Sequence, residues 1–331
     1  YSTNTFPTGK LAQPFRRLAH NGEINTISGN VNWMKSHETR LADPVLDPYM
    51  DDLKPVVQAQ GSDTACLDNV FELLTFAGRD APMARCLMVP ASVGGNSAMP
   101  QRHKDMYSYC NAVMEPWDGP AALCATDGRW MLAGLDRSGL RPLRYTVTSG
   151  GLLIVGSETG MVKVPEADIV SRGRLGPGQS LALDLKEAKL YNNDQLLDLL
   201  SARQDFAGWV KRTRDISCLV RTSSGEISLY QGENLRRRQL AVGTTLEELE
   251  VILQPMVENA AEAIGSMGDD TPLAVLGARY RGLAHYFRQA FSQVTNPPID
   301  SLRETRVMSL ATRLGNLGNI LEESETQCDL L

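Results

Sequence analysis

The feature that most constrains this chain is an Asp-Gly pair set between two apolar runs: Ala121 to Ala125 and Trp130 to Ala133 flank Asp127-Gly128. A type I′ turn needs positive φ at both central residues, which Asp and Gly tolerate, so the two runs are expected to pair as an antiparallel hairpin. The pattern recurs. Arg144 to Thr148 and Leu152 to Gly156 flank Ser149-Gly150-Gly151, and Pro177-Gly178 leads into Ser180 to Leu185. Helical spacing appears before these runs. Val31, Met34 and Leu41 predict a helix from about Gly29 to Leu41, ended by Pro44 and Pro48. Leu67, Val70, Phe71, Leu73 and Leu74 predict a second, from Leu67 to Phe76, closed by Gly78. The first ~200 residues therefore read as α+β with a mainly antiparallel sheet.

From about Ser201 to Asn234 the pattern loosens into a connector. Thr245 and Glu248 then form a capping box ahead of a helix carrying Leu246, Leu249, Ile252, Leu253 and Met256, kinked at Pro255. A short strand is expected at Leu273 to Leu276. A helix is expected from Ala278 to Phe291, stopping before Asn296-Pro297-Pro298. Beyond it, Arg303, Arg306 and Arg313 punctuate an apolar run. The stretch from Phe291 to Ile320 accordingly reads as an inter-domain surface.

A length of 331 residues suggests about two domains. A net charge of −6, with no basic run beyond Arg236, Arg237 and Arg238, argues against nucleic acid and anionic membranes as partners. No apolar stretch approaches the ~20 residues that span a bilayer, and no signal-peptide pattern opens the chain. The cysteines are Cys66, Cys86, Cys110, Cys124, Cys218 and Cys328. None lie two or three apart, so no metal or iron–sulfur ligand set is visible, and their scatter suits the cytoplasm.

A few short motifs are able to carry chemistry. His20-Asn21-Gly22 reads either as a hairpin turn or as an oxyanion hole, with the Asn21 carboxamide and the Gly22 N–H holding a developing negative oxygen. Gly61-Ser62-Asp63-Thr64 reads as a helix N-cap, as a carboxylate for a substrate ammonium, or as both. Arg137, Arg141 and Arg144 either hold anions or tie their own loop down. Gly268-Asp269-Asp270 is better read as an ordinary capped loop than as a Mg²⁺ site. His20, His37, His103 and His285 lack zincin spacing, and no GxSxG, P-loop or GxGxxG is present.

Taken in order, Tyr1-Ser2-Thr3, His20-Asn21-Gly22, Ser62-Asp63, Gly139 to Leu143 and Ser157-Glu158 resemble the motifs of the class-II glutamine amidotransferases, a branch of the N-terminal-nucleophile hydrolases. Longer strings are similar to the glutamate synthases: His20 to Met34, Met114 to Pro120, Gly156 to Gly160, Gly265 to Asp270 and Phe291 to Arg303. The resemblance implies part of an αββα sandwich over residues 1–203, a connector over 204–233, and the start of an α/β central domain over 234–331.

It also implies a mechanism. A cysteine at the mature N-terminus attacks the glutamine amide, with its own α-amino group as base. Asn21 and Gly22 would stabilise the oxyanion, Asp63 would hold the α-ammonium, and Thr3 would help bind the α-carboxylate. Ammonia would then travel to an FMN-containing barrel of the same chain and react with 2-oxoglutarate. FMN and an iron–sulfur cluster are implied for the intact enzyme, none of them in this chain, and a small electron-transferring subunit is a further implied partner. The nucleophilic cysteine and the arginine expected before Tyr1 are not in the sequence, so both ends read as truncations and the chain alone is expected not to hydrolyse glutamine. Gly9-Lys10 replaces the usual Trp-Pro. Two other readings are a non-catalytic glutamine- or partner-binding module and a class-II amidotransferase with a different acceptor.

Overall fold

The computed structural model describes residues 15–58, 61–93, 98–216, 229–260, 263, 273–287, 313–315 and 318–331. They fall into two compact units, one of residues 1–217 with 296–331 and one of residues 218–295.

The larger unit is α+β. Its order is β1 (Leu18–Gly22), α1 (Ile27–His37), α2 (Asp63–Phe76), α3 (Ala81–Met88) and α4 (Gln101–Val113), followed by six of its strands, β2 (Ala121–Thr126), β3 (Trp130–Leu135), β4 (Arg144–Thr148), β5 (Leu153–Gly156), β6 (Ile169–Arg174) and β7 (Ser180–Asp184). The strand β8 (Lys189–Tyr191) and the helices α5 (Asn193–Ser201) and α6 (Phe206–Val210) follow. Five strands form one sheet in the order β1-β2-β3-β7-β8, and β5-β4-β6 form another. All pairings within them are antiparallel.

The expected hairpin is β2–β3, but its turn is not type I′. Only Gly128 has positive φ, at 97°. The Asp127 carboxylate instead accepts the N–H groups of Arg129 (2.9 Å) and Trp130 (2.7 Å). A side chain thus does the work that a second left-handed residue would have done.

Helices pack on the five-stranded sheet because their apolar positions fall together. Every residue of α3 is buried. Among them Arg85 donates from Nη2 to two backbone carbonyls, Leu135 O at 2.6 Å and Gly178 O at 3.0 Å. The stretch 204–233, expected to be a connector, opens with α6. Its Phe206 is buried, and Phe206 and Trp209 pack against Tyr109 of α4 with ring centroids 5.0 and 5.3 Å away. Two aromatics in five residues were enough to anchor a helix too short to show a period.

Residues 318–331 return to this core. Ile320 and Cys328 are fully buried. Arg79 donates from Nε to Ile320 O at 2.7 Å and from Nη2 to Glu322 O. The Tyr109 hydroxyl donates to Gln327 Oε1 at 2.6 Å, and Arg212 forks onto Asp329 at 2.7 and 2.8 Å. Most of the stretch 291–320 lies outside the described residues. At its described end, Ile320 completes the core of its own unit.

In the smaller unit, α7 (Gly232–Ala241) precedes the expected capping box. Glu248 Oε2 accepts Thr245 N–H at 2.8 Å, and Thr245 Oγ1 accepts Glu248 N–H at 3.1 Å. The helix bearing Pro255 is continuous but irregular: a π-helical turn, Glu248–Leu253, runs into α8 (Gln254–Asn259). A widened turn absorbs what a proline would otherwise break. Two expectations fail here. Ala274–Leu276 is a 3₁₀ turn rather than a strand, and Leu283–Phe287 is a 3₁₀ helix rather than part of a long α-helix. Gly277 and Gly282 lie between these turns, ending the first and preceding the second, and glycine favours neither strand nor helix interiors.

Candidate functional site

The candidate site forms at the open edge of the five-stranded sheet. β1 is the edge strand, and Asn21-Gly22 closes it rather than making a turn. Glu23 N–H donates to Pro120 O at 2.9 Å and Asn25 N–H to Asp118 O at 2.7 Å. In an antiparallel ladder, alternate residues face the partner. The N–H groups of Leu18, Gly22 and Ile24 therefore point away from β2.

Helix α2 runs antiparallel to β1 along that edge. Asp68 accepts Leu18 N–H at 3.1 Å together with the N–H groups of Arg16 and Arg17, and Asp63 Oδ2 accepts Ile24 N–H at 2.8 Å. Covering an edge with a helix removes its tendency to recruit other strands. Burial pushes the Asp68 carboxyl above its usual range, against the pull of those three N–H groups.

Gly22 N–H and Asp63 thus face the same edge, two residues apart along β1, or roughly 7 Å at ~3.3 Å per residue. Asn21 is exposed, and its carboxamide has no partner among the described residues. Strand alternation puts the Asn21 side chain on the face opposite His20 and Gly22. Glycine is required at position 22 for space, since a Cβ there would lie 1.8 Å from Pro120 O and 2.7 Å from His20 Nε2. Asp63 is the first residue of α2, where the helix dipole favours a carboxylate. The cap itself is Ser62, whose hydroxyl accepts Ala65 N–H at 3.1 Å. The structure therefore sets Gly22 N–H and Asp63 along one edge of β1, while the Asn21 carboxamide leaves the strand on the other face. Thr3 lies outside the described residues, as does Gly268-Asp269-Asp270.

Two strings that carried the resemblance support the site from below. Asn30 Nδ2 donates to Pro116 O at 3.0 Å, Thr26 Oγ1 accepts Asp118 N–H at 3.1 Å, and His37 Nε2 lies 3.1 Å from Glu115 Oε2. Arg137 forks onto Asp118 at 2.7 and 2.8 Å, which realises the loop-tying reading for that arginine. The Asp136 carboxylate accepts the N–H groups of Ala121 (2.9 Å) and Ser138 (2.8 Å), fastening the same loop to β2.

Sequence reasoning gave no role to His20 or Thr64. His20 Nδ1 lies 2.9 Å from Thr64 Oγ1, while Nε2 is buried without a hydrogen-bond partner among the described residues. Burial lowers its pKa to about 4; Asp63 opposes the shift and the Arg141 charge adds to it. The signal was present as His20 preceding Asn21-Gly22, but only the α2 contact gives it meaning. Cys66, one turn into α2, is not an activated nucleophile. Burial, then the Asp63 charge, raises its thiol pKa to about 11, whereas reactive thiolates need a lowered one. Among the described residues no three His, Cys, Asp or Glu side chains converge on a metal position, and no helix is long and apolar enough to cross a membrane.

Comparison with known families decides the affiliation. A profile of the glutamine amidotransferases class-II matches residues 1–209. The chain belongs to the class-II glutamine amidotransferases. A profile of the glutamate synthase central domain matches residues 237–331. Over 333 aligned residues, all of this chain and 22% of the relative, it is 60% identical to the glutamate synthase [NADPH] large chain of Azospirillum brasilense. It is 43% identical to ferredoxin-dependent glutamate synthase 2 of Synechocystis, covering 97% of this chain and 21% of the relative. It is 42% identical to the glutamate synthase [NADH] of Saccharomyces cerevisiae, covering 100% and 16%. This class-II amidotransferase sequence therefore spans about a fifth of the length of such relatives.

Proposed function

We propose that this chain supplies the oxyanion-stabilising and ammonium-binding parts of a glutamine amidotransferase site within a glutamate synthase. Asn21 Nδ2 and Gly22 N–H would stabilise the oxyanion, Asp63 would pair with the α-ammonium of glutamine, and Thr3 would sit at the α-carboxylate. The single observation that carries the reading is the shared edge of β1. There an outward Gly22 N–H and the Asp63 carboxylate stand at a spacing suited to the two polar ends of one amino acid.

The chemistry follows. A thiolate attacks the side-chain carbonyl carbon of glutamine, and the C=O electrons move onto oxygen, where donors fixed in advance stabilise them. The C–N bond breaks as the leaving nitrogen takes a proton and departs as ammonia. Water then cleaves the thioester to glutamate. The thiol is assigned to a cysteine at the mature N-terminus of the complete protein, whose own α-amino group acts as base; internal cysteines such as Cys66, with its raised pKa, lack that group. In the complete protein the ammonia would condense with 2-oxoglutarate with loss of water, and reduction of the resulting imine would give glutamate. FMN with an iron–sulfur cluster would supply the electrons, in a barrel domain outside this sequence and with a small electron-transferring subunit as partner.

The reading includes an αββα sandwich, with the two sheets as its central layers. Its boundaries are amidotransferase over 1–203, connector over 204–233 and central domain over 234–331. The scattered free cysteines support a cytoplasmic location. The test is Asn21→Ala in the complete polypeptide that contains this sequence. Losing one oxyanion donor should lower glutamine-dependent kcat by about 10²–10³, while synthesis from added ammonia persists. Equal loss of both activities would remove Asn21 from the site.

A further inference from the structure

His20 touches both halves of the candidate site. By strand alternation its ring shares a face of β1 with Leu18 and Gly22. The ring lies so close under Gly22 that an added Cβ would come within 2.7 Å of Nε2. At its other nitrogen the ring reaches Thr64 Oγ1, 2.9 Å away, in the first turn of α2. Thr64 is buried, and its hydroxyl is oriented toward Asp63 Oδ1 at a longer 3.5 Å.

We propose that His20 is a positioning residue, a strut between the end of β1 and the first turn of α2 that holds Gly22 and Asp63 at the spacing glutamine requires. The role rests on the assignment of Gly22 and Asp63 to the glutamine site.

In this proposal Thr64 turns its hydroxyl proton toward Asp63 and accepts from His20, so that the imidazole proton is on Nδ1 and Nε2 is a bare lone pair. It goes with Nε2 being the buried ring atom without a hydrogen-bond partner among the described residues. A second strut, Ile24 N–H to Asp63 Oδ2 at 2.8 Å, fixes the other carboxylate oxygen. With both in place Asp63 has little freedom to turn. Protonating His20 would put a cation beside Arg141 and remove the lone pair, so the strut works as the neutral ring. Asp63 and Arg141 are the charged groups that act on it.

The strut separates two substitutions that a packing role would rank the other way. His20→Phe keeps the ring and loses the donor. His20→Asn loses the ring and keeps an N–H near the Nδ1 position. In the complete polypeptide, His20→Phe is expected to lower glutamine kcat/KM by about 10-fold or more, and His20→Asn by less than about threefold, because small displacements of reacting groups are costly. Synthesis from added ammonia should stay level in both. A His20→Phe enzyme as active with glutamine as the parent would overturn the proposal, and so would parallel losses of both activities. A second measurement is independent of catalysis. In the 331-residue chain labelled with ¹⁵N-histidine, and with His20→Asn identifying the signal, His20 should be neutral at pH 7 with its proton on Nδ1. A proton on Nε2, or an imidazolium, would also overturn the strut. If the unsubstituted complete polypeptide releases no ammonia from glutamine, the proposed function fails and takes the positioning role with it. The nitrogen spectrum would still say whether the His20–Thr64 link exists.

Discussion

Asp63 serves two purposes with one carboxylate. It anchors Ile24 N–H and offers its charge at the start of α2. Asp63→Asn keeps an oxygen for Ile24 but removes the charge, so the fold should hold while glutamine binding weakens. The expected outcome in the complete polypeptide is a KM for glutamine raised about 10-fold or more with kcat less affected, as for a contact made equally in ground and transition states. Steady-state kinetics with glutamine varied would check it, and an unchanged KM would leave Asp63 only a structural part. His20 sets a pH dependence. Its pKa is about 4 in the folded chain, against about 6.5 unperturbed. Between those values the unfolded chain holds a proton that the folded one refuses, so stability falls as pH drops from about 6.5 toward 4. The excess in urea midpoint of the parent chain over His20→Asn should therefore shrink between pH 7 and pH 5. A constant difference would mean that His20 titrates normally.

At the scale of elements, the meeting of β1 and α2 decides the site, and its weakest joint is the cap. Ser62→Ala removes the acceptor for Ala65 N–H and should cost about 1 kcal/mol. Hydrogen exchange should quicken at residues 63–66 and remain unchanged at α4. Much of this was legible in the sequence. The β2–β3 and β4–β5 hairpins and the body of α2 follow from turn residues and apolar spacing. Apolar spacing alone starts α2 four residues late, at Leu67, because Asp63 and Thr64 do not look apolar, whereas the cap reading of Ser62 marks its true start. The β1 assignment was hidden for another reason. Asn-Gly favours turns on its own, and only pairing across to Ala121 and Ala122 straightens it. Helix α4 left a weak periodic signal because it buries His103 and Tyr109 beside aliphatic residues. Residues Asn21, Gly22 and Asp63 were readable as motifs. His20 as a link between them was not, since a contact across 44 positions, to Thr64, leaves no local trace.

At the scale of the whole larger unit, distant parts of the sequence share one core. Arg79, whose side chain is 2% exposed, holds two carbonyls of residues 320–322. Arg79→Ala would leave both without a donor, and each such loss costs about 1–3 kcal/mol. Thermal unfolding of the larger unit should move down by several degrees, with exchange rising first at 318–331. A shift no larger than for a surface arginine would show that this segment is held elsewhere. The same clamp has a bearing on biosynthesis. Arg79 and Ile320 are 241 positions apart, and ribosomes add about 5–20 residues per second. From the making of Val113, which ends α4, to that of Ile320 a nascent chain therefore waits roughly 10–40 s, at that rate, with α2, α3 and α4 made and one wall of their core still unmade. Through that interval the exposed greasy surface is a natural client for holding chaperones. Slow codons between Val113 and Ile320 would lengthen the exposure.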